Sequence, residues 1–287
     1  MSNTIDINPR RQQLKEEYER LQRDYSDLIA RRDDLLLHDG PLLETVYMET
    51  IGQLQYEMLC LQYDIYILKL QRDLLQAYIN RGERPDMQTV KKKVKVASWT
   101  FHMNIQQEEE KIKESKTYKE QHSQEYKAFT EHQSEKPDKD LEAEKIELKN
   151  LYKRLVHRLH PDLHPEQSEW ERELFLKVQE AYRDGNLKRL RELEAELNAG
   201  MPSDSVGSST IEEWEERIRI LKEQIEAIRH KIEDIENDFP FTYREKLQDQ
   251  EWIAARQEEI RISIEQLKAE KERLQKIVEI LMEQANG

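Results

Sequence analysis

Apolar residues recur along much of this chain at alternating steps of three and four, the spacing that lays a continuous stripe along a helix. The first run is Leu14, Tyr18, Leu21, Tyr25, Leu28 and Leu35, lapsing once at Arg32. It predicts a helix over about 11–37, closed by His38-Asp39-Gly40-Pro41 because proline brings no backbone donor. Tyr47, Ile51, Leu54, Met58, Leu61, Ile65, Leu68, Leu75 and Ile79 predict a second helix over about 42–80. That helix carries another stripe through Leu59, Tyr63, Ile67, Leu70 and Leu74, so it needs more than one partner. Arg81 to Pro85 stop it, and Asp86 is placed to cap the next helix. The stretch from Met87 to about His132 contains neither Gly nor Pro. Val90, Val94, Ala97 and Phe101 give it a helical face, while its later part is nearly all polar and reads as a solvated extension. TVKKKVKV alternates locally, but an isolated strand needs a partner, so helix is expected there too.

Residues 1–133 are thus expected to form a three-helix, partly antiparallel region. A linker is expected at 134–140, a compact helical unit at 141–198 and a flexible linker at 199–210. The most regular pattern comes last. Ile211, Trp214, Ile218, Leu221, Ile225, Ile228, Ile232, Ile235 and Phe239 hold the three-four spacing, with Ser209 and Glu212 suggesting a capping box. After Phe239-Pro240 it resumes with Ile253, Ile260, Ile264, Leu267, Leu274, Val278 and Leu281. Two such helices joined by a short break predict an antiparallel coiled-coil hairpin over 211–287. The expected fold is all-α and elongated, with coiled-coil hairpins flanking a small central unit.

Composition narrows the function. The 287 residues include only 7 Gly and 8 Pro, too few for the turns of a sheet protein. A net charge of −14 argues against nonspecific binding to nucleic acid. No apolar run approaches the ~20 residues that span a bilayer, and the first residues lack the apolar core of a secretory signal. The single Cys60 fits a reducing compartment. A cytoplasmic protein that binds neither membrane nor nucleic acid is expected. Lys91, Lys92, Lys93 and Lys95 read as a solvated basic face, and Trp99, Trp170, Trp214 and Trp252 as packing residues. Without a phosphate loop, a nucleophile elbow or a distinct carboxylate pair, no enzyme and no cofactor are expected.

The most informative stretch is LKNLYKRLVHRLHPDLHPEQSEWERELFLKVQEAYRDGN. Leu148, Leu151, Tyr152, Leu155 and Leu159 make one apolar helix face, and Lys149, Lys153, Arg154, His157 and Arg158 occupy the rest. No acidic residue interrupts that basic surface before His160. Pro161 must end the helix. Ser168 with Glu171 forms a capping box for the next helix, which buries Phe175, Val178 and Tyr182 and closes at Gly185 in the left-handed conformation. The pair should display an exposed His160-Pro161-Asp162 at its tip. His157, His160 and His164 straddle a helix end without cysteine and do not match zinc spacing, so no metal is expected.

These two helices resemble the J-domain of DnaJ-type co-chaperones. The family's second helix reads I-K-K-A-Y-K-R-L-A-x-K-Y-H-P-D, and residues 148–162 fit it without a gap. Its third reads F-K-x-I-x-E-A-Y, matched by residues 175–182. The resemblance covers 145–186. The family's Asp-Tyr-Tyr first helix is missing from the residues upstream, Leu163 stands where a basic residue usually follows His-Pro-Asp, and a new helix begins after Asn186. The resemblance implies docking on a DnaK-type (heat-shock 70) chaperone through Lys149, Tyr152, Lys153, Arg154, Arg158, His160, Pro161 and Asp162, with ATP hydrolysis stimulated in that partner. The flanking helices would bind a client protein or assembly, and the heptads leave self-association open. The alternative is a scaffold in which the J-like pair is a degenerate packing element. Without a first helix, Leu151, Leu155, Phe175 and Val178 need cover. Leu187, Leu190, Leu193 and Leu197 are expected to supply most of it, and the spare stripe of the second N-terminal helix the rest.

Overall fold

The computed structural model describes residues 9–130, 139–200 and 210–286, and no strand occurs among them. In chain order the helices are α1 (Pro9–Asp34), α2 (Gly40–Tyr47), α3 (Gln53–Asn80), α4 (Met87–Ala97), α5 (Trp99–Gln121) and α6 (Ser123–Thr130). They are followed by α7 (Lys139–Leu159), α8 (Glu169–Arg183), α9 (Leu187–Gly200), α10 (Ile211–Glu236) and α11 (Gln250–Asn286). The protein is all-α, as expected.

The stop expected at 38–41 does not occur. The chain widens into a π-turn at Leu35–Asp39, where the Gly40 amide donates to the Leu35 carbonyl, and α2 begins at once. A Cβ on Gly40 would lie 2.9 Å from that oxygen, so only glycine permits the wide turn at this point. Pro41 then falls in the first turn of α2, where its missing donor costs little. Local caps agree better with expectation. Asp86 accepts from the Gln88 and Thr89 amides to start α4, which is helix and not strand. The capping box of α10 is made by Thr210 with Glu213, one residue beyond the expected pair, and Ser209 lies outside the described residues. So do 134–138 of the first expected linker and 201–209 of the second, while 139–140 already belong to α7.

The chain divides into two units, each built from stretches far apart in sequence: 9–40 with 139–200 and 210–241, and 41–130 with 242–286. The expected boundaries at 133 and 211 are therefore not the structural ones. In the first unit α1 and α10 run parallel. Arg10–Glu215 at 2.9 Å, Glu17–Lys222 at 2.7 Å and Arg31–Glu236 at 2.9 Å keep one offset of 205 residues. Leu14, Leu21 and Tyr25 are buried with Trp214, Ile218, Leu221, Ile225, Ile228 and Ile232, and Tyr18 meets Trp214 edge-on at 5.3 Å. The antiparallel hairpin expected over 211–287 is corrected: α10 packs on α1, and α11 packs on α3. A three-four stripe requires an apolar partner but does not say which helix supplies it or in which direction.

In the second unit α11 runs parallel to α3, tied by Lys271–Asp64 and by Gln257 to the Thr50 carbonyl, both at 2.7 Å and an offset of 207. Along α3 the pairs run oppositely for α4 and α5: Tyr63 and Tyr66 meet Phe101, and Lys93 lies over Tyr78. This satisfies a helix apolar on two sides. The polar end of α5 is not a free extension, since Ile105 and Ser115 are buried and Lys119 bonds Glu49. Lys91, Lys92, Lys93 and Lys95 are exposed, as a solvated face requires. Trp214 is buried and Trp252 is half-buried beside Tyr243, whereas Trp99 and Trp170 are exposed.

Candidate functional site

In the first unit α7, α8 and α9 pack mutually, and α1 lies along α7. Leu151, Leu155, Phe175 and Val178 are buried with all four leucines of α9, so the expected cover from 187–197 is present. The remaining cover comes from α1, with Tyr25 and Ile29, and from Leu35 in the turn that follows it, all in the same core, and not from the second N-terminal helix. At ~1.5–3 kcal/mol per buried aliphatic side chain, this cover is what makes the helix pair stable.

The lapse of the α1 stripe at Arg32 marks its most specific contact. Asp33 and Asp34 are buried there, at 4% and 6% exposure, against α7 and α8. Tyr152 donates to Asp33 at 2.6 Å, and Tyr182 donates to Asp34 at 3.0 Å. Arg32 donates twice to Asp33, and Lys149 reaches Asp34 at 2.8 Å. Burial and then the adjacent carboxylate push both phenols far above the usual tyrosine range, so they remain donors.

The loop after α7 is built locally. His160 is buried and meets Phe175 edge-on at 5.3 Å. Its Nδ1 accepts the Asp162 amide at 3.2 Å, which requires that nitrogen to be unprotonated. Burial holds the imidazole below its ordinary pKa, although the Asp162 carboxylate opposes this. The Gln167 amide caps the Leu159 carbonyl, and the His164 ring pairs with the His157 carbonyl at 2.8 Å. Leu163 is buried in the core. Ser168 and Glu171 form the expected capping box, and Gly185 takes the expected left-handed conformation at φ 64°.

Pro161 and Asp162 are exposed, but the tip is not wholly so, because His160 packs inward. Tyr152 is 0% exposed, its ring stacked on Tyr182 at 3.8 Å, so it cannot meet a partner as the resemblance implied. The basic side chains remain partly open but are paired within the chain: Lys149 with Asp34, Lys153 with Asp27 at 3.2 Å, and Arg154 with Glu194 at 3.1 Å. Arg158 donates to Asn198 at 2.6 Å. Tyr25 of α1 donates to Asp162 itself, at 2.8 Å.

Sequence reasoning missed Tyr25, Asp27, Asp33, Asp34, Gln167 and Glu194. The lapse at Arg-Arg-Asp-Asp was the one available signal for the acidic pair, since it breaks an otherwise regular stripe. Among the described residues no cluster of three or more His, Cys, Asp or Glu is arranged to hold a metal ion. No described helix is long and apolar enough to cross a membrane. No protein-family model matches the chain, and neither does any curated protein or solved structure.

Proposed function

We propose that the chain is a co-chaperone whose His160-Pro161-Asp162 loop recruits a DnaK-type chaperone and stimulates its ATPase. The observation that carries this reading is the loop itself. The His160 ring accepts the Asp162 amide, and a half-exposed carboxylate stands just past the end of a basic helix. A carboxylate so held makes a charge-assisted contact with a cation on the partner. Lys149, Lys153, Arg154 and Arg158, all partly open to solvent, steer an acidic surface towards it. Hydrolysis belongs to the chaperone, so this chain is a regulator in a reducing, cytoplasmic setting, and its remaining helices hold a client or assembly.

The second reading, a scaffold with a degenerate J-like element, draws on the burial of Tyr152 and the internal pairing of the basic residues. ATP turnover by a purified DnaK-type chaperone separates the two. Under the co-chaperone reading the full chain raises turnover, and Asp162→Asn abolishes the increase while helicity and melting stay nearly unchanged. Equal stimulation by Asp162→Asn and the parent protein would sink that reading.

A further inference from the structure

Each charged group that the co-chaperone reading assigns to docking already has a partner in this chain. Tyr25 donates to Asp162, and its ring stands edge-on to His160 at 6.3 Å. Asp27 and Asp34, on the same helix, hold Lys153 and Lys149. Glu194 and Asn198 of α9 hold Arg154 and Arg158. Together these side chains offer carboxylates to the basic edge and a hydrogen-bond donor to the loop carboxylate, which is the chemistry an acidic chaperone surface would bring.

We infer that α1 is a built-in competitor of the chaperone: Tyr25, Asp27 and Asp34 hold the loop and the basic face in a closed state that the partner must displace. This rests on the co-chaperone reading of the site. Displacement needs no movement of α1, whose Tyr25 ring is buried while the carboxylate it holds is half exposed. The side chains need only exchange partners. Lys149 is held by the buried Asp34 and exchanges least readily, but the Lys153–Asp27 and Arg154–Glu194 pairs are solvent-accessible, and pairs of that kind contribute little and are readily traded. The hydrogen bond to Asp162 is the stronger restraint, because its acceptor is ionised.

The test titrates the full chain into a purified DnaK-type chaperone with ATP and separates half-maximal concentration from plateau. Tyr25→Phe keeps the buried ring and removes only the donor. It should lower the half-maximal concentration about three- to tenfold, as loss of one hydrogen bond to a half-exposed acceptor implies, at an unchanged plateau. Asp27→Asn, at a largely exposed side chain, should shift it the same way by about twofold. Asp162→Asn in the Tyr25→Phe background should abolish stimulation. If the parent stimulates and neither variant shifts the curve, the closed state is wrong while the co-chaperone reading stands. If Tyr25→Phe stimulates without needing Asp162, the latch is overturned because the effect arises elsewhere. If neither parent nor variant stimulates, the co-chaperone reading fails and the latch with it.

Discussion

The rings of Tyr152 and Tyr182 lie 3.8 Å apart and only 5° from parallel, and their phenols donate to two adjacent carboxylates, Asp33 and Asp34. One tyrosine comes from α7, the other from α8, and both acids from the C-terminal end of α1. This buried polar cluster therefore fixes where the N-terminal helix meets the J-like pair. It also explains why a tyrosine expected at a partner surface is buried: its hydroxyl finds an acceptor inside the unit.

Removing either phenol leaves a carboxylate buried with one donor fewer, at a cost of about 1–3 kcal/mol. Tyr152→Phe should thus lower the melting temperature by several degrees, given about 2–4 °C per kcal/mol for chains of 150–250 residues. Tyr182→Phe should do less, because each carboxylate keeps a cation, Arg32 on Asp33 and Lys149 on Asp34, and the Tyr182 hydrogen bond at 3.0 Å is longer than that of Tyr152 at 2.6 Å. Tyr66→Phe is the control, its hydroxyl being exposed and only 3.4 Å from the Ala97 carbonyl. Thermal melts followed by helical circular dichroism check this, and equal melting of Tyr152→Phe and the control would contradict it.

The loop histidine makes stability depend on pH. Burial holds His160 and His157 below their ordinary value of 6.5, so the folded state refuses protons that the unfolded state accepts. Their contribution is complete above that value and is lost as pH falls below it towards the folded-state values. Protonating His160 would also remove the acceptor of the Asp162 amide. Acidic side chains with depressed values, such as Glu17 and Glu171, add their loss only below about their ordinary 4.5. Melting temperature should therefore be flat from pH 8 to 7 and fall between 6.5 and 5.5, before the carboxylates respond. A flat profile through that interval would contradict the buried, neutral His160.

What the sequence made legible was local. Ser168 with Glu171, Asp86 and Gly185 act within a few residues of themselves, and each does what its type and position imply. The leucines of α9 were readable because one short turn returns them to α8. Gly40-Pro41 misled because a local rule for ending helices omits the π-turn that accommodates both residues. The partners of the long helices were not readable. The isoleucines of α10 require an apolar seam, and α1 and α11 both offer one. Choice and direction rest on contacts between residues far apart in the chain, such as Tyr18 with Trp214, which spacing within a single helix does not encode. For the same reason Tyr25 passed as an ordinary seam residue, although its hydroxyl reaches Asp162 from 137 residues away.

The dependence of the central unit on α1 gives the last prediction. A fragment of residues 141–198 keeps α9 and with it Leu187, Leu190, Leu193 and Leu197, so part of its core survives. It loses Ile29 and Leu35, both 0% exposed in the full chain, and the acceptors of both buried phenols. Two absent aliphatic side chains alone are worth ~3–6 kcal/mol, comparable to the whole stability of a small domain. The fragment should melt well below the full chain, with a broad transition. Because a fragment can fail for other reasons, Ile29→Ala in the full chain supplies a second measurement. A cavity there should cost about 2–5 kcal/mol and reduce amide-exchange protection in α8 along with α1, since the two share one core. If the fragment melts cooperatively at the full-length temperature, or if α8 keeps its protection in Ile29→Ala, then α1 is not the element that completes the J-like pair.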